Sequence, residues 1–305
     1  MNMKAVAPLS NKPMIVIPSH NRAGQLKVLT SIPDELMDVT YVAITPDQEE
    51  AYKKANPGVQ LLIVHPDVKC IAQKRQACID MLPKGKIIML DDKIELYLKR
   101  FEFQANGMPK IPSGTNRYMT KTNNKFMDLY KVMDEMLDDY PQVGISAREG
   151  NSMKSGYGKE IQKVYGAQGL RSDIFEKEDI RFDGMFLEDP LCGFYEDYYV
   201  TLCLIEKGYK NYGLYDYVYN HHHNSKGGNS GSRTAETQEH CVKKLQKRFG
   251  EEFIKIYQYD GRSQWDNLPN RWEIKTMFIK KFYNASVARI EEELNPTISL
   301  FDMGL

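Results

Sequence analysis

The chain has 305 residues, and its 41 lysines and arginines balance 41 aspartates and glutamates. Zero net charge excludes a protein that coats nucleic acid through uniform basicity, but it leaves room for a local basic face. With 42% hydrophobic and 27% charged residues the chain can bury a core, and no apolar run nears the roughly 20 residues of a membrane helix.

The opening stretch MNMKAVAPLSNKP has no apolar segment of the kind a secretory signal needs, so a cytoplasmic location is expected. MIVI (14–17) reads as a buried strand, followed by the polar turn Ser19-His20-Asn21-Arg22 and helical spacing at Leu26 and Leu29. VTYVAI (39–44) predicts a second strand, with Thr45-Pro46-Asp47 opening a helix that runs through Lys54. QLLIV (60–64) predicts a third strand, and a helix follows over 71–82, ended by Pro83. KIIML (86–90) is a fourth strand that delivers Asp91-Asp92. Strands alternating with helices argue for a mostly parallel sheet with ligands beyond its carboxyl ends. The 18–22 turn and Asp91-Asp92 should therefore share a face.

After Tyr97 the pattern breaks, and residues 99–126 show no clear periodicity. A helix is expected from Phe126 to Leu137, a strand at GISAR (144–148), and a strand and turn pair over 161–183. A helix should start near Glu196, with Gly208 as its C-cap. NYGLYDYVYN (211–220) is an aromatic strand, 221–234 must be loop, and the tail from Thr237 is helical in pattern. Five cysteines (Cys70, Cys78, Cys192, Cys203, Cys241) without CxxC spacing suggest reduced thiols rather than structural zinc.

Several groups could carry chemistry. Asp91-Asp92 at a strand end can hold Mg²⁺ or Mn²⁺ against a diphosphate, since hard oxygen ligands suit those ions. The 18–22 turn can clasp a nucleotide, but it lacks the dinucleotide fingerprint, which disfavours NAD. Lys74 and Arg75 could meet phosphates or simply be solvated charge. Glu196-Asp197 at a helix start could be dipole-matched caps or a general base for an acceptor hydroxyl. His221 and His223 alternate to one side of an extended segment, where one could ligate a metal. The loop from Lys226 to Arg233, with three glycines, could close over phosphates. The stretch 99–126 interleaves Lys99, Arg100, Lys110, Arg117, Lys121 and Lys125 with Phe101, Phe103 and Tyr118. Cations beside rings suit a nucleic acid with an unstacked base, and Lys243, Lys244, Lys247 and Arg248 could extend that surface.

Taken together, IVIPSHNR, AQKRQACIDML, KIIMLDD and GFYEDYYVTLCLIEKGY resemble a GT-A glycosyltransferase over about residues 12–235. The later stretch through HHHNSKGGNSGSRTAE is similar to the phage-encoded TET-associated glycosyltransferases. The resemblance implies an α/β fold: a GT-A-like, mostly parallel sheet flanked by helices, with a helical C-terminal extension. It divides the chain into a transferase domain at 1–235 and an extension at 236–305. Within the domain lie a nucleotide-sugar half (12–98), a basic insert (99–126) and an acceptor half (127–235).

By position, Pro18, Ser19, His20, Asn21, Arg22, Arg75, Asp91, Asp92, Lys93, Gly227, Gly228 and Arg233 would bind the nucleotide-sugar. Asp91, Asp92 and His223 would hold a divalent cation, Mn²⁺ or Mg²⁺. Asp197, with Glu196, would be the acceptor base. Lys99, Arg100, Lys110, Arg117, Tyr118 and Lys121 would contact DNA. The implied reaction moves a sugar from a UDP-sugar to the hydroxymethyl group of a modified pyrimidine, 5-hydroxymethylcytosine, in DNA. A glycan or small-molecule acceptor, a non-catalytic nucleic-acid binder on the same scaffold, and a nucleotidyltransferase are the alternatives. The family motif places another Asp after the position of Asp92, and this chain has Lys93, whose ammonium could take over part of a metal's role.

Overall fold

A computed structural model describes residues 12–99, 102–103, 105–106, 109–110, 118–120, 123–148, 157–221, 234–258, 272–275 and 279–294. Four strands open the chain: β1 (Met14–Pro18), β2 (Thr40–Ile44), β3 (Gln60–Ile63) and β4 (Lys86–Leu90). They pair in parallel in the order β3-β2-β1-β4. Their connections carry helices α1 (Glu49–Ala55) and α2 (Ile71–Met81), as parallel strands require.

The second half of the sheet is mixed. β5 (Ile94–Lys99), β8 (Tyr118–Thr120), β9 (Gln142–Ala147), β11 (Ala167–Arg171) and β12 (Tyr212–His221) continue it as β4-β11-β9-β12-β5-β8. Here β9 and β12 run parallel and the other pairings along that path are antiparallel. The short β10 (Gly158–Glu160) pairs with β12, and β6 (Glu102–Phe103) with β7 (Pro109–Lys110) forms a separate hairpin inside the basic insert.

The apolar strands are buried on both faces because alternate residues feed two different cores. From β1, Ile15 and Ile17 join a core with Tyr52, Ile88, Leu90, Phe126, Leu129 and Met133, the last three on α3 (Asn123–Met136). Val16 points the other way, into a core with Cys78, Ile79, Met89, Leu170 and Phe175. That second core is completed by α4 (Ser172–Lys177), α5 (Gly184–Glu188) and α6 (Glu196–Glu206). The C-terminal elements fill it further. Leu245 and Phe249 of α7 (Ala235–Phe249) and Phe282 and Tyr283 of α8 (Ile279–Leu294) lie in the same cluster. A hairpin of β13 (Lys255–Gln258) and β14 (Trp272–Lys275) sits between those helices in sequence.

Four elements depart from the sequence expectations. The helix anticipated around Leu26 and Leu29 is a single 3-10 segment, Lys27–Ser31. Pro33 holds Ile32 extended and so prevents elongation. β5 occupies 94–99, across the point after Tyr97 where the sequence pattern breaks, and its inward Ile94 and Leu96 are completely buried. Residues 172–177 are helix α4 rather than part of a turn pair, and the tail is interrupted by the β13–β14 hairpin.

Candidate active site

The first turn and the aspartate pair meet directly. Asp92, 3% exposed, accepts Ser19 Oγ at 2.6 Å and Arg22 Nη1 at 2.6 Å. Because Ser19 gives its proton to Asp92, the 2.7 Å contact between Ser19 Oγ and Tyr52 OH has tyrosine as donor. The Tyr52 hydroxyl oxygen in turn accepts Arg22 N at 2.9 Å. Lys74 Nζ closes the turn from below by donating to Ser19 O at 2.6 Å. Gln48 accepts Asn21 N at 2.7 Å and lies 2.6 Å from His20 Nδ1, which holds the exposed tip. Asn21 takes left-handed φ 55°, a conformation asparagine tolerates better than most residues. Pro18 ends β1, in register with Ala43.

Burial shapes the charges here. It pushes the Lys74 ammonium down to about 8 and pushes the Asp92 carboxyl up, with Arg22 and the Ser19 hydroxyl opposing the latter shift. Both Asp92 oxygens are engaged inside the protein, Oδ1 by Arg22 and Oδ2 by Ser19. Asp91–Asp92 therefore does not fit a two-carboxylate cation clamp: Asp92 anchors the turn, and only Asp91 presents a partly exposed carboxylate. His223, the third expected ligand, lies outside the described residues, as do Gly227, Gly228 and Arg233.

Arg75 joins the two halves of the site. It is 4% exposed, and its guanidinium contacts Asp91 Oδ1 at 2.8 Å, Glu196 Oε1 at 3.4 Å and Asp197 Oδ1. The β4 end and the α6 start are thus tied through one cation. A guanidinium can do this because its fork of donors spreads over several carboxylates, whereas an ammonium is a point charge. Phe182 lies under it, 5.9 Å from ring centroid to Cζ.

Asp197 is also held from behind. Asn211 Nδ2 donates to Gln142 Oε1 at 2.9 Å, Gln142 Nε2 to Gln168 Oε1 at 2.8 Å, and Gln168 Nε2 to Asp197 Oδ1 at 2.7 Å. A carboxylate only accepts, so it fixes the sense of every amide along the chain. Tyr195, immediately before the acids, is left-handed at φ 62°, and its hydroxyl donates to Trp272 O at 2.8 Å. Gly193 lies so near Cys70 that an added Cβ would sit 2.9 Å from the cysteine Cβ. Loop and helix start are therefore tightly placed.

Lys163 Nζ stands 5.0 Å from the Tyr165 ring and 5.5 Å from the Tyr198 ring. Burial lowers its affinity for the proton. Tyr165 meets the wholly buried Tyr219 edge-on at 5.9 Å. Lys93 is half-buried, just past Asp92.

The residues expected to contact DNA fare differently. Lys99 is 2% exposed within β5, so it is off any surface that could meet a phosphate. Lys110 and Tyr118 fall on β7 and β8; Arg100, Arg117 and Lys121 lie outside the described residues. The basic face proposed for α7 is partly neutralised: Lys243 meets Glu239 at 2.5 Å, Lys244 Glu188 at 3.2 Å, and Arg248 Glu206 at 2.6 Å.

Sequence reading missed Tyr52, Gln48, Gln168, Gln142 and Lys163. For Gln142 and Gln168 a signal existed: each is an uncharged polar residue in a largely apolar strand, which has to be paired once buried.

No curated protein matches the chain in sequence. Among solved structures it is similar to residues 1–349 of TarS from S. aureus in complex with UDP-GlcNAc. That likeness has 11% identity and TM-score 0.47, and covers 77% of this chain and 67% of that one. It is likewise similar to the mannosyltransferase PcManGT from Pyrobaculum calidifontis in complex with GDP-Man and Mn²⁺. Here identity is 12% and TM-score 0.47, covering 98% and 80%. The chain spans about two thirds of the TarS fragment. The family model of the TET-Associated Glycosyltransferases matches residues 14–228, the whole span from β1 past β12. The chain belongs to that family and is a glycosyltransferase.

Proposed function

We propose that the enzyme transfers a sugar from a UDP-sugar to the hydroxymethyl group of 5-hydroxymethylcytosine in DNA. The observation that carries this reading is the Arg75 junction, which sets a nucleotide-side carboxylate, Asp91, against the acceptor-side pair Glu196–Asp197. A displacement at an anomeric carbon needs a leaving phosphate on one side and a proton acceptor on the other. Asp197 is the base. Arg75 and Gln168 both address its Oδ1, and Oδ2 would take the proton of the acceptor hydroxyl. The hydroxyl oxygen forms the new glycosidic bond, its proton passes to Asp197, and UDP leaves with the bonding pair.

The turn Pro18–Arg22 contacts the nucleotide, braced by Asp92 and Tyr52. Lys93 neutralises charge on the departing diphosphate. A divalent cation would find Asp91 as its accessible ligand. Closure by Gly227, Gly228 and Arg233 and DNA contact by Arg100, Lys110, Arg117, Tyr118 and Lys121 belong to the same proposal. So does a transferase domain at 1–235 whose core the C-terminal helices complete. The enzyme should act in the cytoplasm, where both donor and DNA are present.

The test is incubation with UDP-glucose, UDP-GlcNAc and a UDP-pentose on matched oligonucleotides containing cytosine or 5-hydroxymethylcytosine. A hexose or pentose mass increment only on the hydroxymethylated strand is expected. UDP release with glycan acceptors and none with DNA would overturn the acceptor assignment.

A further inference from the structure

Away from the Arg75 junction, a second cluster brings together residues that are distant in sequence. Asp189 and Cys192 lie on the loop between α5 and α6, and His240 lies on α7. One ligand atom from each, an oxygen, a sulfur and a nitrogen, falls within 4.8 Å of the other two. His240 Nε2 is 2.6 Å from Asp189 Oδ2. The Cys192 sulfur is buried and hydrogen-bonded to the Cys241 thiol, which itself donates to Leu191 O at 3.4 Å. The loop is held in shape by Cys192 N on Asp189 O at 2.8 Å and by Leu191 N on Asp189 Oδ1 at 3.1 Å.

We propose that Asp189, Cys192 and His240 form a zinc site that staples α7 to the loop leading into Glu196–Asp197. The donor set is of the right chemistry, because a borderline-soft dication accepts thiolate, imidazole and carboxylate together, whereas Mg²⁺ and Ca²⁺ want oxygen alone. The spacing also suits it. Bonds of about 2.0–2.3 Å in a tetrahedron separate ligand atoms by roughly 3.3–3.8 Å. The imidazole and carboxylate, now in direct contact, need to part by roughly 0.7 Å to admit the ion. His240 is nearly half exposed and can make that shift.

Charge balances as well. Zinc binding expels the Cys192 proton to solvent, and one thiolate with one carboxylate neutralises the dication. Cys241 then remains a thiol, its proton turned from Leu191 O to the new Cys192 thiolate. It follows His240 directly on a helix, where neighbours diverge by about 100°, so it supports the site rather than ligating. Water would supply the fourth ligand, since His240 is nearly half exposed. The absence of CxxC spacing hid this arrangement, because its ligands come from two segments about 50 residues apart.

The experiment is zinc titration of the reduced, chelator-stripped full chain against a chromophoric competitor, with metal analysis after gel filtration and Co²⁺ spectra alongside. One zinc per chain and a thiolate-to-cobalt charge-transfer band are expected. Cys192→Ser and His240→Ala should each weaken binding at least tenfold, and Cys192→Ser should abolish the band. Cys203→Ser, on α6, should leave both unchanged. His240 is exposed, so its variant tests the site without opening the core, and circular dichroism verifies the fold. No retained metal, parent-like zinc affinity in both ligand variants, or a Cys192–Cys241 disulfide formed in preference to metal binding would each overturn the site. These readouts are binding measurements, so they stand apart from the sugar-transfer reading.

Discussion

Replacing Arg75 with methionine removes the cation that three carboxylates share. At an effective dielectric of about 20, each contact at 2.8–3.4 Å represents about 5–6 kcal/mol of gross attraction. Most of that is offset by the cost of desolvating the guanidinium, so the pairs themselves add little net stability. Removal is a different matter. It strands Asp91, Glu196 and Asp197 together, with side-chain exposures of 26%, 8% and 14%. Breaking a buried pair from one side costs about 3–5 kcal/mol, a sizeable share of the ~5–15 kcal/mol that holds a domain together. At about 2–4 °C per kcal/mol, Arg75→Met should melt roughly 6–20 °C below the parent. Arg75→Lys should fall between them, since an ammonium cannot fork across the same partners. Adding Asp91→Asn and Asp197→Asn to Arg75→Met should recover part of the loss, the non-additive signature of a shared network. Scanning calorimetry and urea titration provide the measurement. An Arg75→Met chain within about 1 kcal/mol of the parent, or one made still less stable by the paired neutralisations, would refute the junction as described.

Other outcomes follow from the same geometry. Asp197→Asn should lower kcat by about 10²–10⁴ while UDP affinity by calorimetry stays within a few-fold, and full turnover would remove Asp197 as the base. Asp92→Asn should cost roughly 3–5 kcal/mol in urea unfolding by removing the carboxylate charge paired with buried Arg22, and a neutral result would argue against Asp92 as the anchor of the turn. Lys74 gives a pH signature. Its folded value of about 8 lies below the usual 10.5, so the unfolded chain binds that proton more tightly. The resulting cost is present in full below pH 8 and fades as pH rises to about 10.5. Across that window the parent should gain on the order of 3 kcal/mol relative to Lys74→Met, and parallel stability curves would contradict it. Gly193→Ala should lose about 1–3 kcal/mol against Cys70 and depress kcat through the displaced loop, which steady-state kinetics would detect.

The parallel half of the fold was legible because its strands are uninterrupted apolar runs ending in polar turns, a pattern local sequence can carry. That Ser19 and Asp92 would share a face followed from strand order alone, and they are in fact bonded to one another. What Arg75 does was not legible: a helix position one residue from Lys74 gives no hint that its fork reaches a helix start more than a hundred residues later. β5 is hard to read because Ile94 and Leu96 alternate with Glu95 and Tyr97 just after the charged run Asp91-Asp92-Lys93, so the strand resembles the fading of a turn. Composition alone reads Lys99 as surface charge, yet its position in that strand buries it. The amide chain behind Asp197 depends on contacts between β9, β11 and β12 that no single segment encodes.

The C-terminal helices have a practical bearing on how this enzyme is dissected. The family signature stops at residue 228, but Cys241, Val242, Leu245, Phe249 and Phe282 line the same interior as Val16 and Met89. A clone trimmed to the signature would bare a greasy cleft beneath the catalytic sheet and would be expected to precipitate. Heredity and folding draw their borders at different places along this polypeptide, and experiments on the catalytic region should respect the second.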